Sequence, residues 1–221
     1  MSALLFGSLS TVADTSEQQR DAFNQAFARH GLDWHWGPEQ YRSMLTASGG
    51  EQRIADYARG HRDLVDAKAV HQTKSEIFQA GLASSKVQAR DGVVDTIRAA
   101  QQAGTKVAFV TTTSAENVSA LLTGLNPTLS RLDFDLVVDA STVQHGKPDR
   151  AAYSYALEAL REQAGHCLAI EDNLDGVASA VAAGLRCIAF PNANTATQHF
   201  PAAQQRVDRL DFPNLRELLS G

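Results

Sequence analysis

Short runs of consecutive apolar residues recur along the chain, each followed by a stretch whose apolar positions return every three or four residues. ALLF at 3–6 is the first. KVAFVT at 106–111 precedes SAENVSALLTGL, and FDLVVDA at 134–140 precedes, after a loop, DRAAYSYALEALREQ. HCLAIED at 166–172 leads into NLDGVASAVAAG, with RCIAF at 186–190 directly behind it. Strands that are apolar throughout, rather than alternating, are buried on both faces. Their alternation with helices predicts a parallel sheet covered on both sides. Ser114 and Asn173 stand where helix N-caps are expected, and Gly104 and Gly184 where helices end.

Residues 16–88 break this rhythm. SEQQRDAFNQAFARHG, GPEQYRSMLT, GEQRIADYARGH and RDLVDAKAVHQTKSEIFQAGL all carry the helical period, and none reads as a strand. The chain returns to the sheet pattern through RDGVVDTIRAAQQAG. The expected organisation is a Rossmann-like α/β core from 1–15 and 89–221, with a helical cap at 16–88 inserted after the first strand. Trp34 and Trp36 are read as cap core or as a contact between cap and core, rather than as a stacking platform.

Charge narrows the function classes. The net charge of −5 and the lack of a basic run argue against nucleic-acid binding, which needs clustered Lys and Arg. No stretch reaches the ~18 apolar residues of a membrane span, and the N-terminus lacks a signal-peptide pattern; a soluble cytoplasmic protein is expected. Cys167 and Cys187 lie in apolar strands and read as buried free thiols.

In open parallel sheets, ligands bind beyond the carboxyl ends of the strands. Thr111 and Thr112 end one strand before a helix, where a hydroxyl and backbone N–H groups can hold a phosphate oxygen or simply cap the helix. Lys147, in HGKPD, is an anion-binding charge or a solvated loop lysine. Glu171 and Asp172 suit a hard cation such as Mg²⁺, or complement the next helix dipole. In the cap, Arg53 follows the glycine-rich turn SGGEQR, while His71 and Lys74 lie one helical turn apart; each reads as a ligand contact or as a solvated helix face.

Taken together, the strand, the helical insertion, VTTTSAENV, GKPDRAAYSYAL and AIEDNLDGVASAVAAGL resemble the haloacid dehalogenase superfamily. GLDWHW, YRSML, SGGEQRI and HQTK are similar to its CbbY and phosphoglycolate-phosphatase group, which carries a helical cap. The resemblance implies a phosphoryl-transfer site. An aspartate ending the first strand attacks phosphorus, a second two residues on is the acid and base, and a threonine and a lysine hold the phosphoryl group. Carboxylates of the fourth strand hold Mg²⁺. Thr111, Lys147, Glu171 and Asp172 match. A phosphorylated small metabolite or an anion is the implied partner, with Arg53 and Lys74 as cap contacts.

The first strand departs from this pattern. Phe6 is followed by Gly7, Ser8, Leu9, Ser10 and Thr11, so the nucleophile position is Gly7 and the acid/base position is Leu9. Losing a covalent nucleophile costs ~10⁶-fold in rate, and losing a proton donor ~10²–10⁴-fold. Gly7 also withdraws a carboxylate from the metal shell, so any Mg²⁺ site is weakened. The chain therefore reads as a catalytically impaired phosphatase fold that keeps an anion pocket. The alternative is an active Mg²⁺-dependent sugar-phosphate phosphatase with a relocated nucleophile. Strand alternation points Ser8 away from the face that position 7 uses; Ser10 lies in the turn with no histidine base beside it in sequence, and His145 of the neighbouring loop is the base that could approach it. Glu51 stands where CbbY-type proteins carry lysine. Restoring aspartate at 7 and 9 is expected to raise turnover.

Overall fold

The structure, a computed structural model, describes residues 2–45 and 49–220; Ser48 of the SGGEQR turn lies outside them. The apolar runs pair into one parallel sheet of order β3-β2-β1-β4-β5-β6. Its strands are β1 Ala3–Phe6, β2 Lys106–Val110, β3 Leu136–Val138, β4 Cys167–Glu171, β5 Arg186–Ala189 and β6 Gln205–Arg206. Placing β1 between β2 and β4 makes it the centre of the sheet, so its carboxyl end opens into the crevice where such folds bind ligands.

Helices α1 Leu9–Val12, α2 Ser16–Arg29, α3 Pro38–Ser43, α4 Gly50–His61 and α5 Ala67–Ser84 follow the first strand. They are joined by α6 Val93–Gln102, α7 Ala115–Leu125, α8 Ala151–Leu160, α9 Leu174–Ala182 and α10 Phe212–Ser220. Leu4, Phe6, Phe109 and Ile170 face α6, α7 and α10, while Ala3, Leu5, Val110 and Ala169 face α8 and α9. This is the period-two division of a strand buried on both faces. Both cysteines are buried and free. The side chains of Ser114 and Asn173 accept the backbone N–H of Asn117 and Gly176, and so cap α7 and α9. Helix α5 starts at Ala67 rather than Arg62, because the Asp66 carboxylate accepts the Ala69 N–H and sets the N-terminus there.

Residues 16–84 hold a hydrophobic cluster of their own. Trp36 is wholly buried against Phe23, Phe27 and Tyr41, with ring centroids 4.9, 4.6 and 6.1 Å away. Trp34 stands at the edge of this cluster, edge-on to Tyr57. Helix α5 joins the helices to the sheet: it packs on α2 and on α7, and its Phe78 and Leu82 enter the main core.

The two chain crossings between helices and sheet meet at Arg90. Its Nη1 donates to Ser10 O (3.0 Å) and Phe190 O (2.7 Å), its Nη2 to Pro191 O (2.5 Å), and the guanidinium lies 3.4 Å from the Phe190 ring centroid. The Arg90 N–H donates to Val12 O at 2.9 Å. One fork thus ties the α1 turn that follows β1 to the loop after β5. Replacing it leaves three carbonyl groups short of a charged donor. Arg90→Ala is expected to lower stability by ~2–4 kcal/mol, read by chemical denaturation, with Arg90→Lys recovering only part because it lacks the planar fork.

Candidate functional site

Beyond the carboxyl ends of the strands lies a cavity of about 490 Å³, closed on its far side by the cap helices. Thr111, Thr112, Lys147 and Asp172 line it from the sheet, Arg53, His71 and Lys74 from the cap. Residues separated by more than a hundred positions thus converge on one space. Glu171 sits just beneath this surface, wholly buried. His145 and Glu51 are exposed and do not line the cavity.

The register of the central strands decides what happens at Gly7. Phe6 pairs with Ile170, and the Gly7 N–H donates to Ile170 O at 2.9 Å, so Gly7 and Glu171 leave the sheet side by side. The Glu171 carboxyl group then lies where a side chain at position 7 would be. A Cβ on Gly7 would stand 2.1 Å from Glu171 Cδ, and a Cβ on Gly176 2.2 Å from the same atom. The two glycines form a slot that the carboxyl group fills. In the slot, Oε1 accepts from Lys147 Nζ (2.5 Å) and Tyr153 OH (2.7 Å), while Oε2 has no hydrogen-bond partner. Burial pushes the Glu171 carboxyl up from the usual range, with Lys147 opposing. The Tyr153 phenol is raised well above its ordinary value, by burial and then by the Glu171 charge.

Lys147 is therefore an internal partner as well as a cavity residue. Its Nζ donates to Glu171 and to Val110 O (2.7 Å), and only 9% of the residue is exposed.

Asp172 is held by uncharged donors. Oδ1 accepts from Ser8 Oγ (2.5 Å), Thr11 Oγ1 (3.2 Å) and Asn173 Nδ2 (2.9 Å), and Oδ2 from Asn192 Nδ2 (2.5 Å). The expectation that Ser8 faces away from the site is corrected here. The strand ends at Phe6 and α1 begins at Leu9, so Ser8 has left the pleat and its hydroxyl turns into the cavity. Leu9 takes the opposite course and packs among Leu4, Phe6 and Val12 in the main core. Ser10 bonds Thr15 Oγ1 at 2.9 Å and lines the cavity floor.

This donor set does not fit the Mg²⁺ expected at Glu171 and Asp172. A hard cation needs several free anionic oxygens. Here both Asp172 oxygens accept from neutral groups, Glu171 Oε1 is committed to Lys147 and Tyr153, and Gly7 offers nothing. Among the described residues, no group of three or more His, Cys, Asp or Glu side chains is placed to hold an ion.

Thr111 to Ser114 form a hydroxyl-rich turn. Thr111 Oγ1 accepts the Thr113 N–H (3.3 Å), Thr112 Oγ1 accepts the Lys147 N–H (3.5 Å), and Asn117 Nδ2 donates to Thr113 Oγ1 (2.7 Å). On the cap side, Lys74 Nζ donates to Gln19 Oε1 (2.8 Å) and lies 4.8 Å from the ring centroids of both Phe23 and Phe78. Burial, with Arg53 nearby, lowers its pKa to about 7. The same causes, with Lys74 added, bring His71 down to about 4, so it is neutral at pH 7. Arg53 Nε donates to Met44 O (3.1 Å), and the group feels the Asp175 carboxylate from across the cavity.

Sequence reasoning missed Tyr153, Asn192, Thr195 and Gln19. Tyr153 carries the helical period of a core position. Asn192 and Thr195 lie beyond the last strand read from the pattern. A run of hydroxyl and amide residues after an apolar strand was the available signal. The same segment reaches the cap: Asn194 Nδ2 donates to Glu17 Oε1 (2.9 Å) and Arg42 Nε to Asn194 Oδ1 (3.2 Å).

Comparison with known proteins agrees with this architecture. The family model described as haloacid dehalogenase-like hydrolase matches residues 1–184. Protein CbbY of Cereibacter sphaeroides is 37% identical over 209 residues, covering 93% of this chain and 91% of the relative. A crystal structure of CbbY from Rhodobacter sphaeroides, an Asp-to-Asn variant in complex with xylulose-(1,5)bisphosphate, superposes with a TM-score of 0.87 at 36% identity, covering 95% of this chain and 94% of that one. The same protein in complex with phosphate gives a TM-score of 0.86 at 36% identity and the same coverage. Sheet order, cavity position and the match over most of the chain agree: this chain belongs to the haloacid dehalogenase-like hydrolase family.

Proposed function

We propose that the protein binds a phosphorylated small metabolite in the cavity under its cap and does not turn it over at the rate of a phosphatase. The observation that carries this reading is the Gly7 slot. The position from which the family's aspartate attacks phosphorus has no side chain, and the Glu171 carboxyl group occupies its space. Glu171 is no substitute nucleophile: it is wholly buried, hydrogen-bonded to Lys147 and Tyr153, and absent from the cavity wall. A binding role is supported by the retained Thr111, Thr112, Lys147, Arg53 and Lys74 around one cavity, and by phosphate and xylulose bisphosphate in the CbbY structures this chain resembles. No step is routed through a metal, since the donors present do not fit one.

A second reading has one observation in its favour. The Ser8 hydroxyl faces the cavity and donates to the Asp172 carboxylate at 2.5 Å, the pairing of a nucleophile with a base. Against it, Thr11, Asn173 and Asn192 also donate to this carboxylate, so both of its oxygens are already engaged in holding the loops in place. Phosphate release from a panel of sugar phosphates, with and without Mg²⁺, is expected to stay at background and to be the same for Ser8→Ala. Release that Ser8→Ala abolishes would establish the second reading instead.

Restoring the two aspartates meets an obstacle that the sequence alone hides. A side chain at 7 displaces Glu171 and strips Lys147 of its partner, and an aspartate at 9 enters an apolar cluster. Gly7→Asp with Leu9→Asp is expected to lose ~3–5 kcal/mol or more of stability, from overpacking and an unpaired buried charge, and to show no gain in turnover. Thermal melting and a phosphate-release assay read the two effects separately.

Binding should also depend on pH through Lys74. With a pKa of about 7 in the free protein, Lys74 loses its charge as pH rises through neutrality. A phosphate monoester gains its second charge near pH ~6. Calorimetric affinity for a sugar phosphate is expected to peak between these values and to fall above pH 7, while His71, already neutral, contributes no step there.

A further inference from the structure

Consecutive hydroxyl residues follow β2, from Thr111 to Ser114, and each of their side chains accepts a hydrogen bond from the protein. Thr111 Oγ1 accepts the Thr113 N–H (3.3 Å), Thr112 Oγ1 the Lys147 N–H (3.5 Å) and Ser114 Oγ the Asn117 N–H (3.3 Å). Thr113 Oγ1 accepts from a side chain instead, Asn117 Nδ2 at 2.7 Å. Among the described residues, none of these hydroxyls donates to a protein acceptor. A hydroxyl carries a single proton and can accept as well as donate. With its oxygen engaged as an acceptor, each leaves its proton to a group in the cavity, which all of these residues line. The turn therefore offers donors, and a ligand that meets it must bring acceptors.

The bonds to Thr111, Thr112 and Ser114 come from backbone N–H groups, whose direction the chain fixes. The bond to Thr113 comes from a primary amide, which can turn over and present oxygen in place of nitrogen. A turned Asn117 would take the Thr113 proton on its Oδ1, and the cavity would lose that donor. Gln79 acts against this reversal: its Nε2 donates to Asn117 Oδ1 at 2.9 Å. A turned amide would set nitrogen against nitrogen there, leaving both donors unsatisfied. Asn117 is only 8% exposed, so little water is at hand to repair the loss. Gln79 itself stands on α5, outside the cavity lining.

We propose that Gln79 is a positioning residue for the ligand site: through Asn117 it holds the Thr113 hydroxyl as a donor to an acceptor oxygen of the bound metabolite. The inference rests on the proposed binding role and adds to it a residue that acts on the ligand only through other side chains. It also joins the two walls of the cavity. Helix α5 presents Lys74 on the cap wall and, from Gln79, the relay that reaches the sheet wall by way of α7. The hydrogen-bonding sense of the turn after β2 is thus set from a helix that packs on the cap.

A double-mutant cycle read by calorimetry with inorganic phosphate tests this. Thr113→Val removes the donor and is expected to weaken binding about tenfold. Gln79→Met keeps a side chain of similar length and adds no charge. It is expected to weaken binding about threefold in the unaltered chain and to have no effect in the Thr113→Val chain, where the group it acts through is gone. A merely structural role in packing α5 on α7 would instead lower the melting temperature and weaken binding equally in both chains. That result, or an unaltered affinity in either single variant, overturns the inference while leaving the binding role standing. Absence of phosphate binding to the unaltered chain at millimolar concentration overturns both. NMR of the unaltered chain supplies a check that needs no variant. Nuclear Overhauser contacts are expected between the Asn117 side-chain NH2 and the Thr113 methyl group; contacts from that NH2 to the Gln79 side chain in their place overturn the inference.

Discussion

A carboxylate taken fully out of water must find partners, and the carboxylate of Glu171 finds them in Lys147 and Tyr153, inside a slot made by two glycines. The slot exists because parallel register sets Gly7 beside Glu171, so the size of residue 7 fixes where the carboxyl group can lie. With no side chain at 7, Glu171 tucks in and draws Lys147 with it. That pairing removes a free cation from the cavity wall, removes a free carboxylate from the space a metal would use, and fills the place from which a nucleophile would act. Breaking such a buried pair leaves an uncompensated charge, typically costing ~3–5 kcal/mol, so the arrangement holds itself in place.

The neighbouring carboxylate follows from the same change. Four neutral donors hold the Asp172 carboxylate. Ser8 and Asn192 flank the segments that Arg90 ties together, α1 after β1 and Phe190–Pro191 after β5. The clamp and the donors therefore belong to one network: the loops must be close for Ser8 and Asn192 to reach Asp172 from opposite sides. Contacts from Asn194 to Glu17 and Arg42 extend the network into the cap.

Much of the fold was legible because it depends on local periodicity. Apolar runs buried on both faces announced five of the strands, and Ser114 and Asn173 marked helix starts by chemistry that acts within three residues. The short strand Gln205–Arg206 was not legible: two exposed polar residues carry no period. Helix α10, Phe212–Ser220, lay in a stretch the pattern left unread. At the site, the residue types at strand ends pointed to Thr111, Thr112, Lys147 and Asp172 on the cavity wall, since strand termini converge in any parallel sheet. What stayed hidden was pairing at long range. Nothing near Lys147 in sequence foretells its bond to Glu171, and nothing near Ser8 foretells its turn toward Asp172. The alternation argument failed at Ser8 because it was applied one residue past the end of the pleat.

The retained polar residues take a different meaning once the charges are placed. Threonine, lysine and carboxylates at strand ends are the parts of a phosphoryl-transfer site, but their effect depends on which charges remain free. Transition-state stabilisation requires cationic groups aimed at the oxygens that gain charge. Here the Lys147 Nζ on the sheet side donates to Glu171 and to Val110 O, while Arg53 and Lys74 line the cavity from the cap. The proposed binding without turnover rests on the Gly7 slot and on this engagement of Lys147, which together leave the end of β1 without a nucleophile and its nearest cation held by Glu171.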